Sequence, residues 1–197
     1  MKVNCNDEGI RKSVEIIENG GVIIFPTDTV YGIGCNPYDA NAVKKIYEIK
    51  SREKIKSLPV LASSIEIVKQ ISTIDEFTEK IIKKYWPGPL TLILKLKDKN
   101  LKKSLNLEDK IAVRIPNSVC TLKLLNKCNL IVGTSANVSG DSSFTNPQEC
   151  IKNVKNYDVF VDGGTITSKG ESTIIEIENE KIHVIREGAL KKEDIVI

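Results

Sequence analysis

With 197 residues, of which 41% are hydrophobic and 28% charged, the chain has the size and balance of one globular domain, residues 1–197, with an adequate core. Its 29 basic and 26 acidic residues leave a net charge of +3, too even for a protein held to polyanions by bulk charge, so any anion site must be local. The apolar runs 22–25 and 90–94 are strand-sized, far below the ~18 residues of a membrane span, and residues 1–8 lack the apolar stretch of a secretory signal, so a soluble, cytoplasmic protein without a membrane partner is expected.

Five cysteines (Cys5, Cys35, Cys120, Cys128, Cys150) form an odd set without a C-x-x-C pair, which argues against a disulfide framework or a zinc knuckle. Reduced, mostly buried thiols are expected. His183 is the lone histidine and falls within an apolar run, so neither a histidine-based triad nor a protein-borne metal site is expected.

In chain order, Ile10, Val14 and Ile17 recur at helical spacing after Asp7, and Asn19-Gly20-Gly21 predicts a stop before a buried strand over 22–25. Pro26 ends that strand, a polar turn follows, and Asp39 caps a predicted helix carrying Ala42, Val43, Ile46 and Ile49. Further strands are predicted over 58–62, 91–96, 111–115, 130–133, 159–161, 173–178 and 181–185, with helices in most gaps and a hairpin turn at 178–181. The alternation predicts an α/β domain with a mixed sheet.

Polar and basic residues gather at strand ends, where an α/β sheet presents its ligand crevice. Four segments stand out. Residues 26–34 read Pro-Thr-Asp-Thr-Val-Tyr-Gly-Ile-Gly, an ordinary turn if taken alone. Lys50-Ser51-Arg52, with Lys54 and Lys56, suits either a solvated helix end or a phosphate clamp. Arg114 interrupts an apolar strand and needs a carboxylate or phosphate partner, because an unpaired buried guanidinium costs several kcal/mol; an internal salt bridge and a ligand are both open. Residues 133–140, Gly-Thr-Ser-Ala-Asn-Val-Ser-Gly, suit either a capped turn or, through hydroxyls and close backbone approach, an anion or ribose. Gly163-Gly164, Ser172-Thr173 and Arg186-Glu187-Gly188 are weaker signals. No Walker A, G-x-G-x-x-G or H-E-x-x-H pattern occurs.

In this order the segments resemble the YrdC family, whose pattern P-T-[DE]-T-x-Y-G, K-x-R, W-P-G-P-x-T, V-R-x-P, S-A-N-x-S-G, S-T and R-x-G is met at 26–32, 50–52, 86–91, 113–116, 135–140, 172–173 and 186–188. The resemblance covers about residues 10 to 190. It implies a YrdC-like open twisted mixed β-sheet with flanking helices around a positively charged cavity. It also implies the synthesis of threonylcarbamoyl-adenylate from L-threonine, bicarbonate or CO2, and ATP with Mg2+, releasing pyrophosphate. A downstream tRNA threonylcarbamoyl transferase complex would use the product to make N6-threonylcarbamoyladenosine; a direct tRNA contact is left open. By motif, Thr29, Arg114, Ser135 and Ser172 would hold threonine, and Lys50, Arg52, Lys56, Asn137, Ser139, Thr145 and Arg186 would hold ATP, with Lys50 and Arg52 catalytic through charge neutralisation. Glu53 and Lys56 depart from the residues common in the family at those places. The chain resembles the short, single-domain form.

Two other readings stand beside this one. A non-catalytic paralogue of the same fold could hold tRNA or double-stranded RNA in the cationic cavity, and a carbamoyl-transfer module like that of hydrogenase-maturation proteins would carry cysteine-rich zinc motifs, which this chain lacks.

Overall fold

A computed structural model describes residues 1–51, 53 and 57–196. Of the expected site residues, Arg52 and Lys56 therefore lie outside the described residues. The α/β class and the mixed strand pairing are as expected, but the strands divide between two sheets instead of forming one.

The first sheet places β1 (Lys2–Asn4), β10 (Val159–Asp162) and β2 (Ile23–Pro26) side by side in parallel. It continues antiparallel through β3 (Tyr31–Gly34) and β9 (Thr134–Ser135). All of β2 is buried, as its unbroken apolar run demands of a strand covered on both faces. On one side, Ile23 and Phe25 meet Ile10 and Ile17 of α1 (Asp7–Glu18) and Leu124 and Leu125 of α6 (Val119–Cys128). On the other, Ile24 joins Tyr31 and Ile33 in the main core.

The second sheet runs β12 (Lys181–Arg186), β11 (Thr173–Glu178), β6 (Leu90–Leu96), β7 (Lys110–Arg114), β4 (Val60–Ala62) and β8 (Leu130–Val132), with the two-residue β5 (Ser72–Thr73) beside β6. Along β6 the period of two assigns opposite duties to neighbours: Leu90, Leu92 and Leu94 fill the core while Thr91 and Ile93 face a cavity. The turn from β11 to β12 holds Asn179 and Glu180 at φ of 51° and 59°, the geometry of a two-residue hairpin loop matched to strand twist.

Helices start where the sequence supplies acceptors for free N–H groups. Asp39 Oδ1 accepts from Asn41 N and Ala42 N at the head of α2 (Ala40–Ile49), and Asn6 Oδ1 accepts from Gly9 N at the head of α1. The remaining helices are α3 (Ile65–Ile71), α4 (Glu76–Tyr85), α5 (Lys99–Ser104) and α7 (Pro147–Asn153).

The sheets meet at two glycines. Val132 N donates to Cys35 O at 2.9 Å and Gly133 N to Pro59 O at 3.0 Å, so the chain passes from β8 in one sheet to β9 in the other within a single residue. A Cβ on Gly34 would sit 1.9 Å from Val132 O, and one on Gly133 2.3 Å from the Leu61 side chain, which leaves room only for glycine at the seam.

One expectation is overturned here. Cys5 and Cys120 form a disulfide, closing a separation of 115 residues. The end of β1 and the first turn of α6 are brought together by the packing of α1 against α6, a proximity that cysteine spacing in sequence does not carry. The other three thiols are free, with Cys35 and Cys150 buried; burial pushes Cys150 up to about 12 and Cys128 to about 11, which keeps both unreactive at neutral pH.

Candidate active site

Between the two sheets lies a cavity of about 260 Å³. Thr29 and Ser135 reach it from the first sheet and its loop, and Thr91, Arg114, Ser172 and Arg186 from the second. Four residues expected to hold an amino acid, Thr29, Arg114, Ser135 and Ser172, are thus brought together, with Arg186 beside them.

Arg114 closes β7 and is almost wholly buried. Its Nε donates to Gly88 O at 2.9 Å, Nη1 to Thr29 Oγ1 at 3.0 Å and Nη2 to Asp28 Oδ1 at 2.5 Å. The internal salt bridge left open by the sequence is therefore present. Burial lowers the Arg114 pKa, the Asp28 carboxylate opposes that fall, and the neighbouring Arg186 charge adds to it. Gly88 can offer its carbonyl because the W-P-G-P turn is pinned by Gly88 N to Ile115 O at 2.9 Å and Trp86 Nε1 to Leu90 O at 2.6 Å. A Cβ at Gly88 would lie 2.4 Å from Tyr85 O.

The turn after β2 is held by one hydroxyl. Thr27 Oγ1 donates to Val30 O at 2.6 Å and accepts from the Thr29 and Val30 amides, both at 3.1 Å. That commits the Thr27 proton, so Thr29 Oγ1, 3.0 Å from Thr27 Oγ1 and already an acceptor for Arg114, keeps its own proton for Thr27 or for a ligand. Opposite, the hydroxyls of Ser172 and Thr91 lie 2.9 Å apart. Thr27, Thr91 and Glu171 line the cavity without having been singled out for it; Thr27 and Thr91 stood inside recognised motifs, and Glu171 immediately precedes Ser172.

Arg186, the last residue of β12, donates from Nη2 to Ser172 O at 2.8 Å and from Nη1 to the Glu171 carboxylate. Gly188 allows this return: its N donates to Thr173 Oγ1 at 3.0 Å, and a Cβ there would lie 2.2 Å from Glu171 O. Two guanidinium groups and one carboxylate are the charged groups lining the cavity among the described residues.

Lys50 has a different place from the one expected of a phosphate clamp. Its ammonium is buried, donating to Ser135 O and, at 2.6 Å, to Asn137 O, while Ser139 N donates to Lys50 O at 2.9 Å. The C-cap of α2 thus ties down the 133–140 loop, and Lys50 does not line the cavity. Asn137, Ser139 and Thr145 are likewise not among the lining residues: Asn137 Nδ2 donates to Asp141 O at 2.6 Å, and Thr145 O accepts from Ile166 N at 2.9 Å. Among the described residues, Asn137 Oδ1 and Ser139 Oγ are buried side-chain atoms without a hydrogen-bond partner.

The described residues contain no group of three histidine, cysteine, aspartate or glutamate side chains able to hold a metal ion, and no helix among them is long and apolar enough to cross a membrane.

Comparison with known proteins gives concordant matches. The Sua5/YciO/YrdC family model, described as telomere recombination, matches residues 15–188. A candidate threonylcarbamoyl-AMP synthase of Methanocaldococcus jannaschii is 37% identical over 190 residues, covering 94% of this chain and 90% of its own. The threonylcarbamoyl-AMP synthase of Pyrococcus abyssi is 34% identical over 189 residues, covering 94% of this chain and 56% of its own. The crystal structure of P. abyssi Sua5 complexed with L-threonine superposes with a TM-score of 0.92 at 33% identity, covering 99% of this chain and 59% of that one. The chain therefore spans nine tenths of one relative and little more than half of the other.

Proposed function

The chain belongs to the Sua5/YciO/YrdC family, and from that premise we propose that it is an L-threonylcarbamoyladenylate synthase, a nucleotidyltransferase joining L-threonine, bicarbonate or CO2 and ATP. The observation that carries the reading is the convergence of Thr29, Arg114, Ser135 and Ser172 from two different sheets on one cavity, with Arg186 next to them.

The reaction needs no protein nucleophile. Threonine's amine takes up CO2, or bicarbonate with loss of water, to form a carbamate. A carbamate oxygen then attacks the α-phosphorus of ATP as the bond to the β-phosphate oxygen breaks and pyrophosphate leaves. Positioning and charge neutralisation supply the catalysis. The N–H groups of Arg114 not held by protein partners suit the threonine carboxylate, and the Thr29, Ser135 and Ser172 hydroxyls suit its remaining polar atoms. Arg186 offsets phosphate charge, a role that the family resemblance also gives to Arg52 and Lys56, while Asn137 and Ser139, whose Oδ1 and Oγ lack protein partners, are the loop's candidates for the nucleotide. Lys50 acts by fixing that loop. Mg2+ bound to the substrate ATP would supply further neutralisation of the phosphate charge beside Arg186.

A cavity built to hold RNA alone requires cations but not hydroxyls enclosed between two sheets. The product belongs to the route to N6-threonylcarbamoyladenosine in tRNA, through a transferase acting after this enzyme. Incubation with ATP, L-threonine and bicarbonate should yield a species with the mass of threonylcarbamoyl-AMP; its absence with all three present would count against the reading.

A further inference from the structure

We propose that Asp28 is a positioning residue for threonine recognition, fixing the Arg114 guanidinium from behind so that its remaining N–H groups face the cavity. The inference rests on the proposed function and deepens it.

Asp28 and Arg114 meet at 2.5 Å with both side chains largely buried, at 14% and 6% exposure, so the pair is shielded from the screening that weakens surface ion pairs. The carboxylate does not line the substrate cavity. It belongs to the wall of a second cavity, of about 460 Å³, bounded by Asp28 and Thr27 with Asn117, Ser118, Cys120 and Thr165. Arg114 is thus gripped on the side away from the substrate cavity, and the negative charge holding it stands clear of an incoming carboxylate.

Three anchors from two segments define the guanidinium plane: Gly88 O on Nε from the W-P-G-P turn, and Thr29 Oγ1 on Nη1 and Asp28 Oδ1 on Nη2 from the turn after β2. Of these, Asp28 alone is charged, and its carboxylate opposes the cost of keeping Arg114 ionised in a buried place beside Arg186. Glu171, the corresponding partner of Arg186, shows the contrast: it lines the substrate cavity, and its pair is far more exposed, at 43% and 27%. One arginine is held permanently from outside the site, and the other is held by a group that substrate can replace.

The test is steady-state pyrophosphate release by the whole chain bearing Asp28→Asn or Asp28→Glu, with the KM for threonine and for ATP measured separately and thermal melts recorded. Asp28→Asn keeps shape and one acceptor but loses charge, so the threonine KM should rise about tenfold or more, as for a charged hydrogen bond turned neutral, with the ATP KM within about twofold. Asp28→Glu should recover much of the loss, because the second cavity has room for one more methylene. A threonine KM unchanged in Asp28→Asn, or equal losses for both substrates tracking a lowered melting temperature, would overturn the assignment. If the unaltered protein releases pyrophosphate without regard to threonine, the proposed function fails and the role of Asp28 falls with it, an outcome read in a separate arm.

Discussion

Arg186 and Glu171 pair at the wall of the substrate cavity, where Glu171 is the only carboxylate among the described lining residues. A triphosphate reaching Arg186 must displace that carboxylate or lie beside it. The first breaks an ion pair and the second leaves the anion facing like charge, so either way Glu171 opposes binding.

Two variants should therefore move in opposite directions. Arg186→Ala removes a cation and should raise the KM for ATP about tenfold or more, with a smaller effect on threonine. Glu171→Gln removes the opposing charge and should lower the ATP KM by about two- to fivefold at low ionic strength, an effect that shrinks as salt is added. Initial rates across an ATP titration at two salt concentrations check both, and a raised ATP KM in Glu171→Gln would contradict the arrangement.

Lys50 should prove a stability residue. Its ammonium satisfies the carbonyls of Ser135 and Asn137 in a buried setting, so Lys50→Met leaves those acceptors without their cation. A loss of about 2–4 kcal/mol is expected, read from the urea midpoint at unchanged slope. Activity should fall as well, because the 133–140 loop loses its tether. A midpoint within error of the unaltered protein would assign Lys50 to the substrates instead.

The local chemistry of the chain foretold more of the fold than of its closures. The Asp39 cap and the turn at 178–181 were legible because each is decided by a few adjacent residues. The strands β3 and β9 were not, since Tyr31–Gly34 and Thr134–Ser135 lie within polar, glycine-bearing motifs; β3 pairs with the neighbouring β2, and β9 becomes a strand only by pairing with β3 across about a hundred residues. The same limit applies in the site. Arg114 announced its need for a partner, but its choice of Asp28, 86 residues away, depends on how β7 passes the turn after β2. For Lys50 the helix end left a solvated cation and a phosphate clamp equally open, and only the family resemblance pointed to phosphate, because a basic helix end looks alike whether its ammonium turns outward or inward.

The Cys5–Cys120 bond gives a redox-dependent prediction. It closes a loop of 115 residues, and such a link should add about 2–4 kcal/mol by restricting the unfolded chain. The oxidised protein should melt at a lower temperature once dithiothreitol is added, and Cys120→Ser should show no such shift. A reductant shift in Cys120→Ser equal to that of the unaltered protein would remove the bond from the account.

Alkaline pH should also reveal Tyr31. Its hydroxyl donates to Gly164 O at 2.7 Å, and burial raises its pKa to about 12. The folded state thus retains a proton that the unfolded chain releases near pH 10, so this contribution is complete below about pH 10 and is lost as pH rises toward 12. Tyr38, also raised to about 12, adds a slope of the same sign. Stability measured from pH 9 to 12 should fall less steeply in Tyr31→Phe; an identical slope would show that the tyrosine is solvated.

The most direct test of a cavity that seats an amino acid beside a nucleotide is pyrophosphate release with each substrate omitted in turn. The account predicts release with ATP, L-threonine and bicarbonate together and a return to background when any one of the three is withheld. Release that persists undiminished without threonine would contradict it.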